Sequence, residues 1–287
     1  MPATLQTALD YRVLMTGEET PAEYSGDRLD ARETCALLEQ GGILYFPKTP
    51  FTLAPEEGAF LLNQRQADSG RHKNISYKAA QHKISGAHTD DTSTLYRIME
   101  DYCRQTGQFI DTFLSPYKGH WELDYGSFRP LEEKNRAMRL RARNDLLHVD
   151  SFPTRATGGK RILRVFTNIS PDILRIWNTS ETFEQLLDRF QSQMKPPKTS
   201  WLSTRPAYDR WMMQFHNHLK ENRRFQERGL KNRWEFPPGS SWLVYTDFVS
   251  HAVLSGQYAL EQTFLIDQTH QVMPEKAPIN LLASAYR

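Results

Sequence analysis

Cysteine is nearly absent from this chain. Of 287 residues only Cys35 and Cys103 are cysteines, and both stand among apolar neighbours. Two thiols cannot make the disulfide framework of a small secreted domain, so they read as buried and reduced. Long apolar runs are absent too: no stretch approaches the ~18 apolar residues that a membrane-spanning helix needs. The opening, "MPATLQTALDYRV", has no basic region followed by an apolar core, which argues against a signal peptide. No sign of charge dominates: 36 Lys and Arg against 34 Asp and Glu leave a net charge of +2 and a pI near 8.4. So mild a balance gives no argument for nucleic acid, although it leaves room for local basic surfaces. Repeats, linkers and low-complexity segments are missing as well. These absences predict one soluble, cytoplasmic domain over residues 1–287. With 39% hydrophobic residues the chain can bury a sizeable core.

What is present changes in pattern along the chain. Residues 1–120 read as a helical and mixed part. "DRLDARETCALLEQGG" predicts a helix stopped by Gly41 and Gly42, followed by a short buried strand, "ILYFP", that ends at Pro47. Pro55 and two glutamates open a second helix, and the spacing of Leu95, Ile98, Met99, Tyr102, Phe109, Ile110 and Phe113 predicts a long amphipathic third. Between them, "GRHKNISYKAAQHKISGAHTD" (70–90) is polar and basic with no clean period and reads as a long loop. Residues 121–178 and 234–270 carry strand signals, among them "HWELDYGSFRPL", "RLRARNDLLHVD" and "KRILRVFTNIS". Turns at Pro237-Pro238-Gly239 and Ser255-Gly256 cut the second block. Residues 179–233 read as a helical insert. The class is therefore α+β, a β core with helices before it and within it.

One short motif carries chemistry. His148 and Asp150 are two residues apart at the end of an apolar run. On a strand, such residues face the same way about 6–7 Å apart, so an imidazole and a carboxylate can converge on one ion. That donor mixture suits Fe(II), and a third ligand would complete one face. His251, in the strand-like "YTDFVSHAVLSG", is the candidate. Two histidines and one carboxylate leave three positions open, two for a bidentate 2-oxoacid and one for O2. His-x-Asp also arises by chance, and the chain holds a decoy, His88-Thr89-Asp90, at a loop-to-helix junction that reads as a helix start. His216-Asn217-His218 falls in a helical pattern, where such neighbours diverge.

The order of HxD, the "GGKRILRVFTNIS" strand, a helical insert and "PPGSSWLVYTDFVSHAVLSGQYALEQTFLI" resembles the Fe(II)/2-oxoglutarate-dependent oxygenases. More closely, "KNISY" (73–77), "LLHVDSFPTRATGG" and "FVSHAVLSGQYALEQTF" resemble the bacterial Kdo hydroxylases, over nearly the whole chain. The resemblance implies a double-stranded β-helix (jelly-roll, cupin-like) core, with Fe(II) held by His148, Asp150 and His251, 2-oxoglutarate as co-substrate and O2 as oxidant. It implies hydroxylation at carbon 3 of 3-deoxy-D-manno-oct-2-ulosonic acid (Kdo) on a Kdo-lipid A glycolipid. Such a substrate would bring the chain to the inner face of the inner membrane as a peripheral protein, with no transmembrane segment and no nucleic-acid partner.

Many of these oxygenases place an Arg shortly after the distal His to bind the far carboxylate of 2-oxoglutarate. Here that region reads Glu261-Gln262-Thr263. Some relatives use a basic residue on the strand after HxD instead, and Arg164 has that position, with Arg161 pointing the other way. An internal Asp or Glu is the competing partner for a buried Arg164. Gln262 and Tyr125 are candidates for added hydrogen bonds. A carboxylate sugar calls for cations and hydroxyl partners, for which Lys73, Asn74, Tyr77, Lys78 and Arg155 are the candidates. A solvated loop face is the plain alternative for each. Two other readings of the whole chain stay open: a phytanoyl-CoA-hydroxylase-like oxygenase of another small molecule, and a non-catalytic β-barrel binding protein.

Overall fold

The structure, a computed structural model, describes residues 9–66, 74–135, 138–199 and 202–287. Helices surround two antiparallel sheets. The larger has nine strands in the order β2 (Glu23–Ser25), β1 (Arg12–Met15), β3 (Gly42–Phe46), β12 (Ser241–Tyr245), β9 (Arg161–Asn168), β14 (Ala259–Ile266), β8 (Trp121–Arg129), β5 (Ile75–Lys78) and β6 (Lys83–Ser85). The smaller has three: β11 (Asn232–Phe236), β10 (Arg175–Thr182) and β13 (Val249–Ser255). A minimal pair, β4 (Arg65–Gln66) and β7 (Ala87–His88), stands apart.

Strand β9 shows how the sequence builds the core. It is buried at almost every position because both of its faces are covered. Leu163 and Val165 enter the main cluster with Leu44, Phe113 and Leu243. Phe166 points the other way, into a smaller cluster between the two sheets with Trp177, Phe236, Trp242, Val249 and Val253. There the Trp242 ring stacks on Phe236 with centroids 3.9 Å apart. Burying such side chains stabilises the stack by about 1.5–3 kcal/mol each.

The helices carry the signals that the sequence showed. Asp30 caps α1 (Ala31–Glu39) in a full capping box with Glu33, and Gly41, at φ +106°, ends it. α2 (Pro55–Leu62) starts at its proline. α3 (Thr92–Phe113) buries the expected stripe and is capped by Asp91, the neighbour of the decoy Asp90. The insert supplies α4 (Phe183–Phe190), α5 (Ala207–Glu221) and α6 (Arg223–Arg228). A last helix, α7 (Pro278–Ala285), follows a segment pinned by the buried Glu39 carboxylate, which accepts from the Val272 and Met273 amides.

Four expectations need correction. Residues 70–90 are not simply a loop: β5 and β6 extend the large sheet past β8, and a short apolar alternation at Ile75 and Tyr77 suffices because both meet the core. Residues 139–150 are not a strand; a 3-10 turn occupies Leu140–Ala142, and the segment makes only one bridge, His148 to His251. Residues 179–182 are strand rather than helix, because β10 continues to Thr182 between β11 and β13; the insert's first helix starts at Phe183. Finally, strands β1 and β2 lie in the part read as helical and mixed, where the strand expected was the one at 43–47.

Candidate metal centre and active site

The three predicted ligands meet. His148 and His251 exchange backbone hydrogen bonds, N to O at 3.1 Å and 2.9 Å, and the Asp150 amide donates to the Thr246 carbonyl at 2.7 Å. This register turns His148, Asp150 and His251 to one side, with ligand atoms all within 4.8 Å of one another and all three residues buried. Each histidine places Nδ1 against a backbone carbonyl, His148 on Leu146 at 2.7 Å and His251 on Val249 at 2.9 Å. A carbonyl only accepts, so Nδ1 carries the proton and Nε2 is left with its lone pair. Both Nε2 atoms face Asp150 Oδ1, at 3.5 Å and 4.0 Å. Trp177 stacks on the His251 ring at 5.2 Å.

Electrostatics keep the donors in ligating form. Burial, with Lys220 next in weight, holds His148 well below the usual imidazole range, and burial also lowers His251. Burial alone would raise Asp150. Arg164, helped by the two histidines, overrides it and holds the carboxyl well below its ordinary value. Arg164 Nη1 meets Asp150 Oδ2 at 2.6 Å, which leaves Oδ1 to the ion site.

A chain of alternating charge continues from there. Arg164 also pairs with Glu261; Arg129 joins Glu261 at 2.8 Å and Glu133 at 3.4 Å; Arg175 lies 3.8 Å from Glu133. Arg175 is fully buried, and burial pushes its guanidinium down to about 10. Its Nη1 donates to the Gly256 carbonyl at 3.3 Å, while Nε and Nη2 have no hydrogen-bond partner. Arg129, Arg164, Arg175 and Trp177 line a recess with the triad. Five residues of that recess, Arg129, Asn144, His148, Asp150 and Arg164, also line a cavity of about 950 Å³.

Residues 23–286 match the family model described as 3-deoxy-D-manno-oct-2-ulosonic acid (Kdo) hydroxylase. The chain belongs to the Kdo hydroxylase family. It is similar to the solved apo structure of the Kdo hydroxylase KdoO, a non-heme Fe(II) alphaketoglutarate dependent dioxygenase, with 34% identity, a TM-score of 0.81, and 89% of this chain and 90% of that chain covered. The same values hold for KdoO in complex with alphaketoglutarate and Fe(III). KdoO with succinate and Fe(III) gives 33% identity, a TM-score of 0.80 and 89% coverage of each chain. No curated protein sequence matches the chain.

Within this Kdo hydroxylase family chain the other predicted residues are distributed unevenly. Tyr125, Asn74, Arg155 and Arg164 line the large cavity. Asn74 donates to Ser127 Oγ at 2.8 Å. Arg155 is already engaged: it meets Asp124 at 2.6 Å and sits between the rings of Phe152 (3.5 Å) and Tyr125 (4.4 Å). Lys78 sits over the Tyr125 ring at 4.8 Å and is not among the cavity-lining residues. Tyr77 is buried in the core, 5.3 Å from the Tyr96 ring, because alternation on β5 turns it inward. Gln262 faces away from the triad. It pairs across from Val165, donates to the Asp124 and Thr263 carbonyls, and leaves Glu261 and Thr263 on the cavity side. Lys73 lies outside the described residues. The sequence reading missed Arg175, Arg129, Glu261 and the α5 residues Met213, His216, Asn217 and Lys220 of the cavity wall. The basic positions in the strands "LDYGSFR" and "LRIWNTSE" were the only signal for the two arginines.

Proposed function

We propose that this protein is an Fe(II)/2-oxoglutarate-dependent dioxygenase that hydroxylates carbon 3 of Kdo on a Kdo-lipid A glycolipid. The observation that carries this reading is the His148–Asp150–His251 triad beside a recess walled by buried guanidinium groups. The residues fit the implied groups. Two imidazole nitrogens and one carboxylate oxygen are the donor set of a facial Fe(II) site, and Nε2 of both histidines with Oδ1 of Asp150 would hold the ion. Two nitrogens of buried Arg175 make no hydrogen bond, although Nη2 lies 3.8 Å from Glu133, and they suit a ligand carboxylate. When bound, Fe(II) and 2-oxoglutarate together activate O2, yielding succinate, carbon dioxide and one oxygen atom for a C–H bond.

The chain's own residues do the rest. Arg175 binds the far carboxylate of 2-oxoglutarate. Arg164 fixes Asp150 and keeps it ionised. Asp150, Glu261 and Glu133 carry three negative charges against three positive ones on Arg164, Arg129 and Arg175. Fe(II) and the 2-oxoglutarate dianion add no net charge to that balance. The cavity, near the upper end of the ~300–1,000 Å³ usual for ligand sites, receives the sugar, with Tyr125, Asn74 and Lys220 on its walls. The two facing sheets with the site between them are read as a double-stranded β-helix core, and the chain as one oxygenase domain. No described helix is long and apolar enough to cross a membrane. A glycolipid substrate at the inner face of the inner membrane would be met by peripheral contact.

The test is incubation of the protein with Fe(II), 2-oxoglutarate and Kdo-lipid A. One oxygen should be added to the sugar, with stoichiometric succinate. His148→Ala, Asp150→Ala and His251→Ala should each abolish it while His88→Ala retains it. Succinate formation with no oxygen added to any Kdo species would transfer the activity to another substrate.

A further inference from the structure

The segment that bears His148 and Asp150 has a strand-like partner on one side only. In an extended chain successive residues offer their backbone groups to opposite edges. His148 and Asp150 use one edge, bonding to His251 and Thr246. Leu147 and Val149 face the other edge, where no described strand pairs with them, and side chains of the helical insert meet them. Gln226 of α6 accepts from the Leu147 amide at 2.9 Å and donates to its carbonyl at 2.9 Å, as a neighbouring strand would. His216 of α5 places Nδ1 2.7 Å from the Val149 carbonyl, between the two ligands. The pattern continues past the ligands. Arg205 donates to the Pro153 carbonyl at 2.9 Å, to the Arg155 carbonyl at 3.4 Å and to the Phe152 carbonyl. The buried Asp209, in the first turn of α5, accepts from the Thr157 and Gly158 amides at 2.6 Å and 3.1 Å.

We infer that the helical insert acts as a surrogate strand, and that its contacts divide into two sets. Gln226 and His216 are positioning residues for the metal ligands. Arg205 is the positioning residue for the cavity wall Ser151–Arg155, and Asp209 anchors Thr157 and Gly158, where the chain leaves that wall. The division follows from the order of contacts along the chain: the first set flanks His148 and Asp150, while in the second Arg205 grips backbone of Phe152, Pro153 and Arg155, which line the cavity but do not ligate the ion, and Asp209 holds the segment just after it. α5 couples the two, because its middle turns, with Met213, His216 and Asn217, line the same cavity. The first set stands on the ion site alone. The second rests on the proposed sugar substrate.

The experiment measures two constants on the full-length protein. Co(II) affinity of the metal-free protein is titrated without substrate, and the Michaelis constant for Kdo-lipid A is measured with the metal and 2-oxoglutarate saturating. Gln226→Met, which keeps the side-chain volume, should weaken Co(II) binding about 10–100-fold, the range typical of residues that orient metal ligands. Its Michaelis constant should stay within about twofold of wild type under saturating metal. Arg205→Ala should leave Co(II) affinity at the wild-type value and raise the Michaelis constant about tenfold, with Arg205→Lys recovering part of it. Melting temperatures are read alongside. Variants that melt earlier yet keep wild-type Co(II) and substrate constants would reduce the insert to scaffolding, and variants in which both constants move together would remove the division. If wild type fails to hydroxylate Kdo-lipid A, the proposed substrate falls, while the Co(II) titration still decides the role of Gln226.

Discussion

At the scale of single residues, Arg164 and Arg175 show how one cation type takes two roles. Alternation on β9 turns Arg164 toward the triad and Arg161 toward the core, where Arg161 meets Asp247 at 3.2 Å. Arg164 is nevertheless engaged by Asp150 and Glu261, so its charge is already matched. Arg175 keeps two nitrogens without hydrogen bonds in the same recess. A charge-assisted hydrogen bond contributes about 1.5–3 kcal/mol, which corresponds to roughly 10–100-fold in affinity. Arg175→Met is therefore expected to raise the apparent 2-oxoglutarate constant by that factor while Co(II) affinity stays near wild type. Arg164→Met should chiefly weaken metal binding, because Asp150 loses the partner that holds it ionised and oriented. Titrating both ligands against both variants checks the ranking; the reverse order would return the anchor to Arg164.

At the scale of elements, the turn joining β13 to β14 does more than reverse the chain. Gly256 has φ +122°, and a Cβ there would come within 2.9 Å of the Arg175 Cα. Its carbonyl also accepts from Arg175 Nη1. Gly256→Ala should thus cost about 1–3 kcal/mol of stability through backbone strain, and displace β10 at Arg175. Denaturation curves together with 2-oxoglutarate titration would register both effects; a variant that is destabilised but binds 2-oxoglutarate normally would separate the turn from the recess. The dipeptide Ser255-Gly256 was legible as a turn. Its contact with a residue 81 positions away was not, since local pattern holds no information about what packs against a glycine.

At the scale of the whole molecule, buried titratable groups set the pH response. His148 and His251 are held below the usual imidazole range, so between their folded and unfolded values the unfolded chain binds more protons. The stability they contribute is complete above about pH 6.5 and is lost as pH falls below it. Asp247 works in the opposite sense. Burial, against the pull of Arg161, raises its carboxyl to about 6, so the folded state holds the extra proton and stability from this group falls as pH rises from near 4 toward 6. Each bound proton contributes about 1.4 kcal/mol per pH unit, and two histidines outweigh one aspartate. Metal-free protein should therefore gain stability from pH 5 to about 6.5, and Asp247→Asn should steepen the gain. Urea denaturation at stepped pH checks both slopes; stability that falls from pH 5 toward 6.5 would mean that Asp247 acts alone and that the imidazoles are not held below their usual range.

What the sequence determined by itself was everything that repeats at short range or names its own chemistry. The glycine stop of α1, the apolar spacing of α3, the apolar run of β9 and the donor set of His148, Asp150 and His251 all lie within windows of a few residues or in residue types that suit few other tasks. Tertiary structure alone decided the face and the partner of each polar group. Tyr77 and Gln262 looked available and are turned inward by the register of β5 and β14, while Arg175 and Glu261 gained their places from strands distant in sequence. The same holds for the metal-ligand segment, which reads as a strand yet pairs with one only at His148. A backbone amide or carbonyl carries no mark of its partner, and Gln226, 79 positions beyond Leu147, meets it only when the insert folds back over the sheet.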